Sequence, residues 1–197
     1  ILTIVKSGFV QLRNTFQEIR HLKVIFLFLA AYWLYIDGVN TLIRMAMDYG
    51  MSIGFQFKDL ILALLITQFV GFPSSLGFGW LGGVIGTKRA IFIALAVYLG
   101  VSIWGAFMQS RYEFYILAIV IGLVQGGIQA LSRSFYAKII PVDKSAEYFG
   151  FYNMVSKFSV VIGPIFIGST GLLVKYMGYS SNIASRIGIA TISLLFI

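Results

Sequence analysis

Apolar residues along this 197-residue chain fall into long runs separated by short polar links. Residues 6–23 are the exception. There Phe9, Leu12, Phe16 and Ile19 recur at three- to four-residue spacing among charged neighbours, which predicts an amphipathic helix lying at an interface. Five apolar runs follow at 22–47, 60–85, 90–107, 114–137 and 149–174, and a sixth begins near Ile183 and continues to Ile197. A helix needs about 20 apolar residues to cross a bilayer. The pattern therefore predicts an all-α membrane protein, a bundle of six transmembrane helices over 22–197 with the sixth truncated. Residues 1–21 form a linker carrying the amphipathic helix. The chain starts at Ile1 and stops inside an apolar run, so it is expected to be a piece of a longer one.

Composition supports the same class. The chain is 59% hydrophobic and 11% charged, against about 25% charged in soluble domains, and its mean hydropathy is +0.91. It has no cysteine and a single histidine, His21. Disulfides, thiolate catalysis and a histidine-rich metal site are thereby excluded, no P-loop is present, and no cofactor is called for. Ser156 and Ser159 beside Lys157 leave a serine–lysine enzyme formally open, but nothing around them resembles a nucleophile site, and the chain is not read as an enzyme. The net charge of +8 is scattered between apolar runs and forms no nucleic-acid patch. Counted on alternate sides of the spans, Lys and Arg divide nine against four, with Lys6, Arg13, Arg20, Lys23, Lys88, Arg89, Arg133, Lys138 and Lys144 on the richer side. That side is expected to be cytoplasmic, which makes 1–21 a cytoplasmic linker; the membrane is the plasma membrane if the source is bacterial.

Polar residues inside the spans are unevenly shared. Span one carries Asp37, Asn40, Thr41 and Arg44, span two Gln68, Ser74 and Ser75, span four Gln125, Gln129, Ser132 and Arg133, and span five Asn153, Ser156, Lys157 and Ser159. Spans one, two, four and five are therefore expected to line a wet cavity, with three and six facing lipid. Asp37 sits roughly 22 Å along span one, where a carboxylate marks a functional candidate: a substrate or proton acceptor with Asn40 as an orienting hydrogen-bond group, or a structural clamp. Thr41, on the same face, is a further substrate- or ion-binding candidate. Lys157, one turn past Asn153 and about 15 Å into span five, is placed to bind a carboxylate or to pair with Asp37. Gln125 and Gln129 are candidates to hydrogen-bond a polar solute or to join helices. Arg44, roughly 33 Å along its span, is expected to snorkel to the headgroups. Gly122 and Gly126 suggest close packing, and Gly163-Pro164 an accommodated kink. Lys88, Arg89, Arg133 and Glu147 read as a gate or as topology anchors at the cytoplasmic side.

The segment from Gly79 through Gly86 and Thr87 to Lys88-Arg89 resembles the loop signature G-x-L-x-D-x-x-G-x-K/R-R of major facilitator transporters, with Gly83 at the acidic position. Three further stretches are similar to one branch of that superfamily: Tyr35-Ile36-Asp37-Gly38-Val39-Asn40-Thr41, Gly126 to Ser134, and Ala146 to Asn153 followed by Lys157 and Gly163-Pro164. This is the "unknown major facilitator" family, which includes the fungal autophagy-related vacuolar amino-acid effluxers. The resemblance implies that the chain is the C-terminal half of a twelve-helix protein whose N-terminal half is its partner. It also implies alternating access, with a small solute, and amino acids in particular, as cargo. A non-transporting membrane sensor on the same frame is the alternative; it would hold a dry Asp37–Lys157 pair and no central cavity.

Overall fold

The computed structural model describes residues 2–197, with side chains from Gln11 onward, and every element in it is helical. They are α1 (Leu2–His21), α2 (Lys23–Ser52), α3 (Phe57–Val84), α4 (Thr87–Phe107), α5 (Arg111–Ile139), a 3-10 turn (Val142–Lys144), α6 (Ser145–Phe158), α7 (Ile162–Tyr176), α8 (Ser181–Thr191) and a closing 3-10 turn (Ile192–Phe196). Five segments are long and apolar enough to cross a membrane, counting Val142–Tyr176 as one interrupted span, and Ser181–Phe196 is a shorter apolar sixth. The chain is an integral, multi-pass membrane bundle.

Local chemistry sets the helix ends. Gln56 and Asp59 form a reciprocal capping box at the start of α3, satisfying backbone donors that have no partner inside the helix. Asp59 also accepts a 2.8 Å bond from the Tyr115 hydroxyl, fastening this end to α5. Gly86 turns the chain from α3 into α4 at φ +91°, a conformation few side chains adopt. α2 continues to Ser52, five residues beyond the expected 47. At about 45 Å, it outruns a hydrocarbon layer of about 30 Å.

α3 and α5 cross at the closest approach in the bundle. A Cβ on Gly122 would lie 2.8 Å from the Thr67 carbonyl oxygen, and one on Gly126 2.7 Å from that of Gly71. Hydroxyls stitch the contact: Thr67 donates to the Ala118 carbonyl at 3.1 Å and Ser74 to that of Leu123. Small residues that admit backbone contact are what binds helices where no hydrophobic drive exists between them. Gly126→Leu should therefore separate the pair and cost about 1–3 kcal/mol or more, read as a lowered unfolding temperature in detergent.

The division of labour differs from the expected one. α4 has a packed flank beside its exposed one: Phe92 and Phe107 are exposed, whereas Ala90, Ala94 and Tyr98 are fully buried, and Tyr98 stacks on Phe196 at 5.5 Å. The closing turn reaches Gly38 of α2, where a Cβ would meet the Phe196 ring at 2.9 Å. α3 instead is the open helix, with Phe69, Phe72 and Trp80 each more than 70% exposed. The reason lies in residue size. Gly and Ala on α4 permit deep packing, whereas α3 offers its own small residues only to α5. On the other flank α1 lies against α2 and α6, with Ile19 buried and Phe16 meeting the Phe151 ring at 5.9 Å.

Candidate functional site

Span five was expected to be continuous over 149–174, and it is not. α6 ends at Phe158 and α7 begins at Ile162, roughly midway along the interrupted span Val142–Tyr176. Breaking a helix leaves terminal N–H and C=O groups without partners, and a bilayer interior supplies no water to take them. One stripe of α2 meets this demand. Trp33 donates its indole N–H to the Phe158 carbonyl at 3.4 Å. Asn40 donates to the Ser159 hydroxyl at 3.4 Å, and that hydroxyl closes on the Ser156 carbonyl at 2.7 Å. Asp37 Oδ2 accepts the Gly163 N–H at 2.9 Å, while its Oδ1 takes the Thr41 hydroxyl at 3.3 Å. Asp37 and Thr41 have no exposed surface. A carboxylate at the N-terminus of α7 also faces the positive end of that helix's dipole.

Of the two readings offered for Asp37, this geometry matches the clamp, and the Asp37–Lys157 pair is not formed. Asp37 is turned away from open space, and its two oxygens are engaged by Gly163 and Thr41. Lys157 is exposed and makes no ion pair with it; among the described residues the ion pair present is Lys144–Glu18 at 2.8 Å. Thr41 packs on Gly163 so tightly that an added Cβ there would clash with its hydroxyl oxygen.

Beside this clamp lies a polar cavity of about 460 Å³. α2 lines it with Tyr32, Ile36, Asn40 and Arg44, α5 with Gly126, Gln129, Ala130 and Arg133, and α6 with Tyr152, Asn153, Ser156 and Lys157. Arg133 donates to Asn153 Oδ1 at 3.2 Å. One end is closed by stacked rings: Tyr32 on Tyr152 at 4.3 Å and Tyr152 on Tyr136 at 5.0 Å. Below them the Tyr35 hydroxyl meets Ser132 at 2.6 Å. Such a chamber can hold a small polar solute by several hydrogen bonds, and its formal charge is wholly cationic.

Of the residues singled out in the sequence, Asn40, Gln129, Asn153 and Lys157 come together on this cavity. Gln125 does not. It lines a second, apolar cavity of about 100 Å³ with Gln68 and Thr67, where its Oε1 is buried without a partner among the described residues. α3 adds nothing to the polar cavity, contrary to expectation. The gate set also disperses. Arg133 faces the cavity. Glu147 instead accepts Gln11 Nε2 at 3.0 Å and the Thr15 hydroxyl at 3.5 Å, docking α1 onto the first turn of α6. Lys88 and Arg89 are exposed at the start of α4, and Gly79 has open space where a Cβ would stand. The sequence reading missed Arg44 as a cavity residue, together with Tyr32 and Tyr152. The signal was present: Tyr32, Ile36, Asn40 and Arg44 repeat every four residues, one face of a helix.

Comparison with known proteins agrees with this architecture. The family described as "Vacuole effluxer Atg22 like" matches residues 1–173. The Bacillus subtilis (strain 168) protein named as the uncharacterized MFS-type transporter YxiO is 40% identical over 170 residues, 86% of this chain and 40% of the relative. Autophagy-related protein 22 of Gibberella zeae is 30% identical over 173 residues, covering 79% of this chain and 26% of its own length. Autophagy-related protein 22-1 of Aspergillus niger is 28% identical over 80% of this chain and 28% of its own. No solved structure matches the chain. The chain thus spans well under half the length of these relatives, and it belongs to the vacuole effluxer Atg22-like family of multi-pass membrane proteins.

Proposed function

We infer that this chain is the C-terminal half of a secondary transporter, which moves a small polar solute, with amino acids as the candidate class, by alternating access against a second six-helix half. The observation that carries the reading is the polar cavity midway along the bundle, with Lys157 on α6, Arg44 on α2 and Arg133 on α5 turned into one space. A cation held there without a carboxylate partner is a ready site for a solute carboxylate. The relatives' descriptions as an effluxer family and an MFS-type transporter support transport, and their greater length supports a second half. The sensor alternative called for a dry Asp37–Lys157 pair without a cavity; a cavity and no such pair favour the transporter. Proton coupling, if it operates, would run through Asp37, and imposing or collapsing a pH gradient across wild-type and Asp37→Asn proteoliposomes tests it.

Counterflow in proteoliposomes carrying the full-length protein tests this. With a panel of radiolabelled L-amino acids and small carboxylates, saturable exchange is expected for at least one solute. Lys157→Ala should lower kcat/KM for that solute roughly 10- to 100-fold, the size of one lost charge-assisted hydrogen bond. Exchange of no panel member by folded protein would sink the assignment.

A further inference from the structure

The charge inventory of the cavity goes further than a site for one carboxylate. Resting on the transport reading above, we propose that the cavity selects solutes bearing two carboxylates, acidic amino acids or small dicarboxylates, over neutral zwitterions. Three cations line it, Arg44, Arg133 and Lys157, together with the amides of Asn40, Gln129 and Asn153, and no Asp or Glu is among the lining residues.

Of the chain's seven acidic residues, five are engaged elsewhere and two are exposed outside the cavity lining. Glu18 pairs with Lys144. Asp37 is engaged by Gly163 and Thr41, and Asp59 by Tyr115. Glu113 accepts the Ser110 hydroxyl at 2.8 Å, and Glu147 holds Gln11 and Thr15. Asp143 is exposed in the turn before α6, and Asp48 is exposed one turn beyond Arg44 without forming an ion pair to it. No carboxylate of the described residues therefore lines the cavity or forms an ion pair with its three cations.

A zwitterion entering this space satisfies one cation with its carboxylate, but its ammonium then stands in a field of the same sign. In an acidic amino acid a second carboxylate offsets that repulsion by engaging a second cation, and a dicarboxylate carries no ammonium at all. The three charges sit on three different helices, so the two acidic groups would bridge α2 or α5 to α6. The Arg133–Asn153 bond leaves the remaining guanidinium donors of Arg133 free for a bidentate partner. At about 460 Å³, the space lies within the usual range of small-ligand sites.

The test uses the full-length protein in proteoliposomes, with radiolabelled succinate as the probe and unlabelled succinate, L-glutamate, L-leucine and L-lysine as competitors. Succinate and L-glutamate should compete at concentrations at least about tenfold below L-leucine, with L-lysine weakest. Arg44→Gln and Lys157→Gln should each reduce the succinate-over-leucine preference by about tenfold, whereas Lys157→Arg, which keeps the charge, should preserve it. Because the readout is a preference ratio, it separates charge recognition from a general loss of folded protein. L-leucine exchange with no succinate preference would overturn this inference and leave the transport reading intact. A preference untouched by both glutamine variants would also overturn it, placing the selectivity outside these residues. Failure of every solute to exchange would remove the transport reading and this inference with it.

Discussion

Asp37→Ala should lower the stability of the bundle by about 3 kcal/mol, seen as a large drop in the unfolding temperature of detergent-solubilised protein. The substitution removes a hydrogen bond between a charged acceptor and a backbone donor, worth about 1.5–3 kcal/mol. It also leaves the Gly163 N–H buried with no partner, in a setting where water cannot replace the carboxylate. The loss of charge at the positive end of α7 adds to the effect. Asp37→Asn keeps one oxygen acceptor and should fall between the two. The same pair of variants distinguishes a clamp from a solute ligand. If Asp37→Asn unfolded at the wild-type temperature and yet failed to bind solute, the carboxylate would be acting in the cavity and the clamp account would be wrong. A clamp shows the reverse: lower stability first, with transport lost in proportion to the folded fraction.

The spans could be read from the sequence because crossing a bilayer demands about 20 apolar residues, and that demand leaves long runs in any chain that meets it. The break in span five could not be read the same way. Val160 and Val161 keep the run apolar straight through it, so hydropathy has nothing to detect. The signs that remained, Ser159 and Gly163-Pro164, suit an accommodated kink equally well. What decides for a full break is tertiary: Trp33, Asp37 and Asn40 on another helix satisfy the groups that the break releases. The opening between α6 and α7 is specified by α2, a relation that no local pattern records.

The site was half legible for a related reason. Asp37, Thr41 and Arg44 fall on one polar stripe, and the structure divides them by what each side chain meets. Asp37 and Thr41 face α7, whereas Ile36, Asn40 and Arg44 face the cavity. Arg44 was placed at the headgroups by counting from Leu22. The helix continues eight residues beyond it to Ser52, and Arg44 lines the cavity beside Ile36 and Asn40. Gln125 and Gln129 are likewise one turn apart, yet α5 runs between two cavities and gives one amide to each. Glu147 stands near the expected gate in sequence, but its carboxylate is taken by α1, which the buried Ile19 and the Glu18–Lys144 ion pair also hold in place.

Gly163→Ala is expected to be more damaging than any other single-methyl addition in the chain. An alanine Cβ would clash with Thr41 Oγ1 and lie 2.6 Å from its Cβ and 2.8 Å from its Cγ2, all inside the distances that real side chains tolerate. Core overpacking of this kind costs about 1–3 kcal/mol, occasionally more. Here the shift that relieves the clash also pulls the Gly163 N–H off Asp37, so steric and hydrogen-bond losses compound. The two contributions can be separated with a second substitution. Thr41→Ala removes the oxygen and Cγ2 but leaves the Cβ at 2.6 Å, so Gly163→Ala with Thr41→Ala should recover only part of the lost stability. Gly163→Ala with Thr41→Gly removes the steric conflict entirely and should recover more, despite the penalty of about 1 kcal/mol for glycine inside a helix. The order of unfolding temperatures, single variant lowest, then the alanine pair, then the glycine pair, is the signature of a contact between these two positions. If Thr41→Gly gave no recovery, the helix break would be held apart by something other than the fit of Gly163 against Thr41.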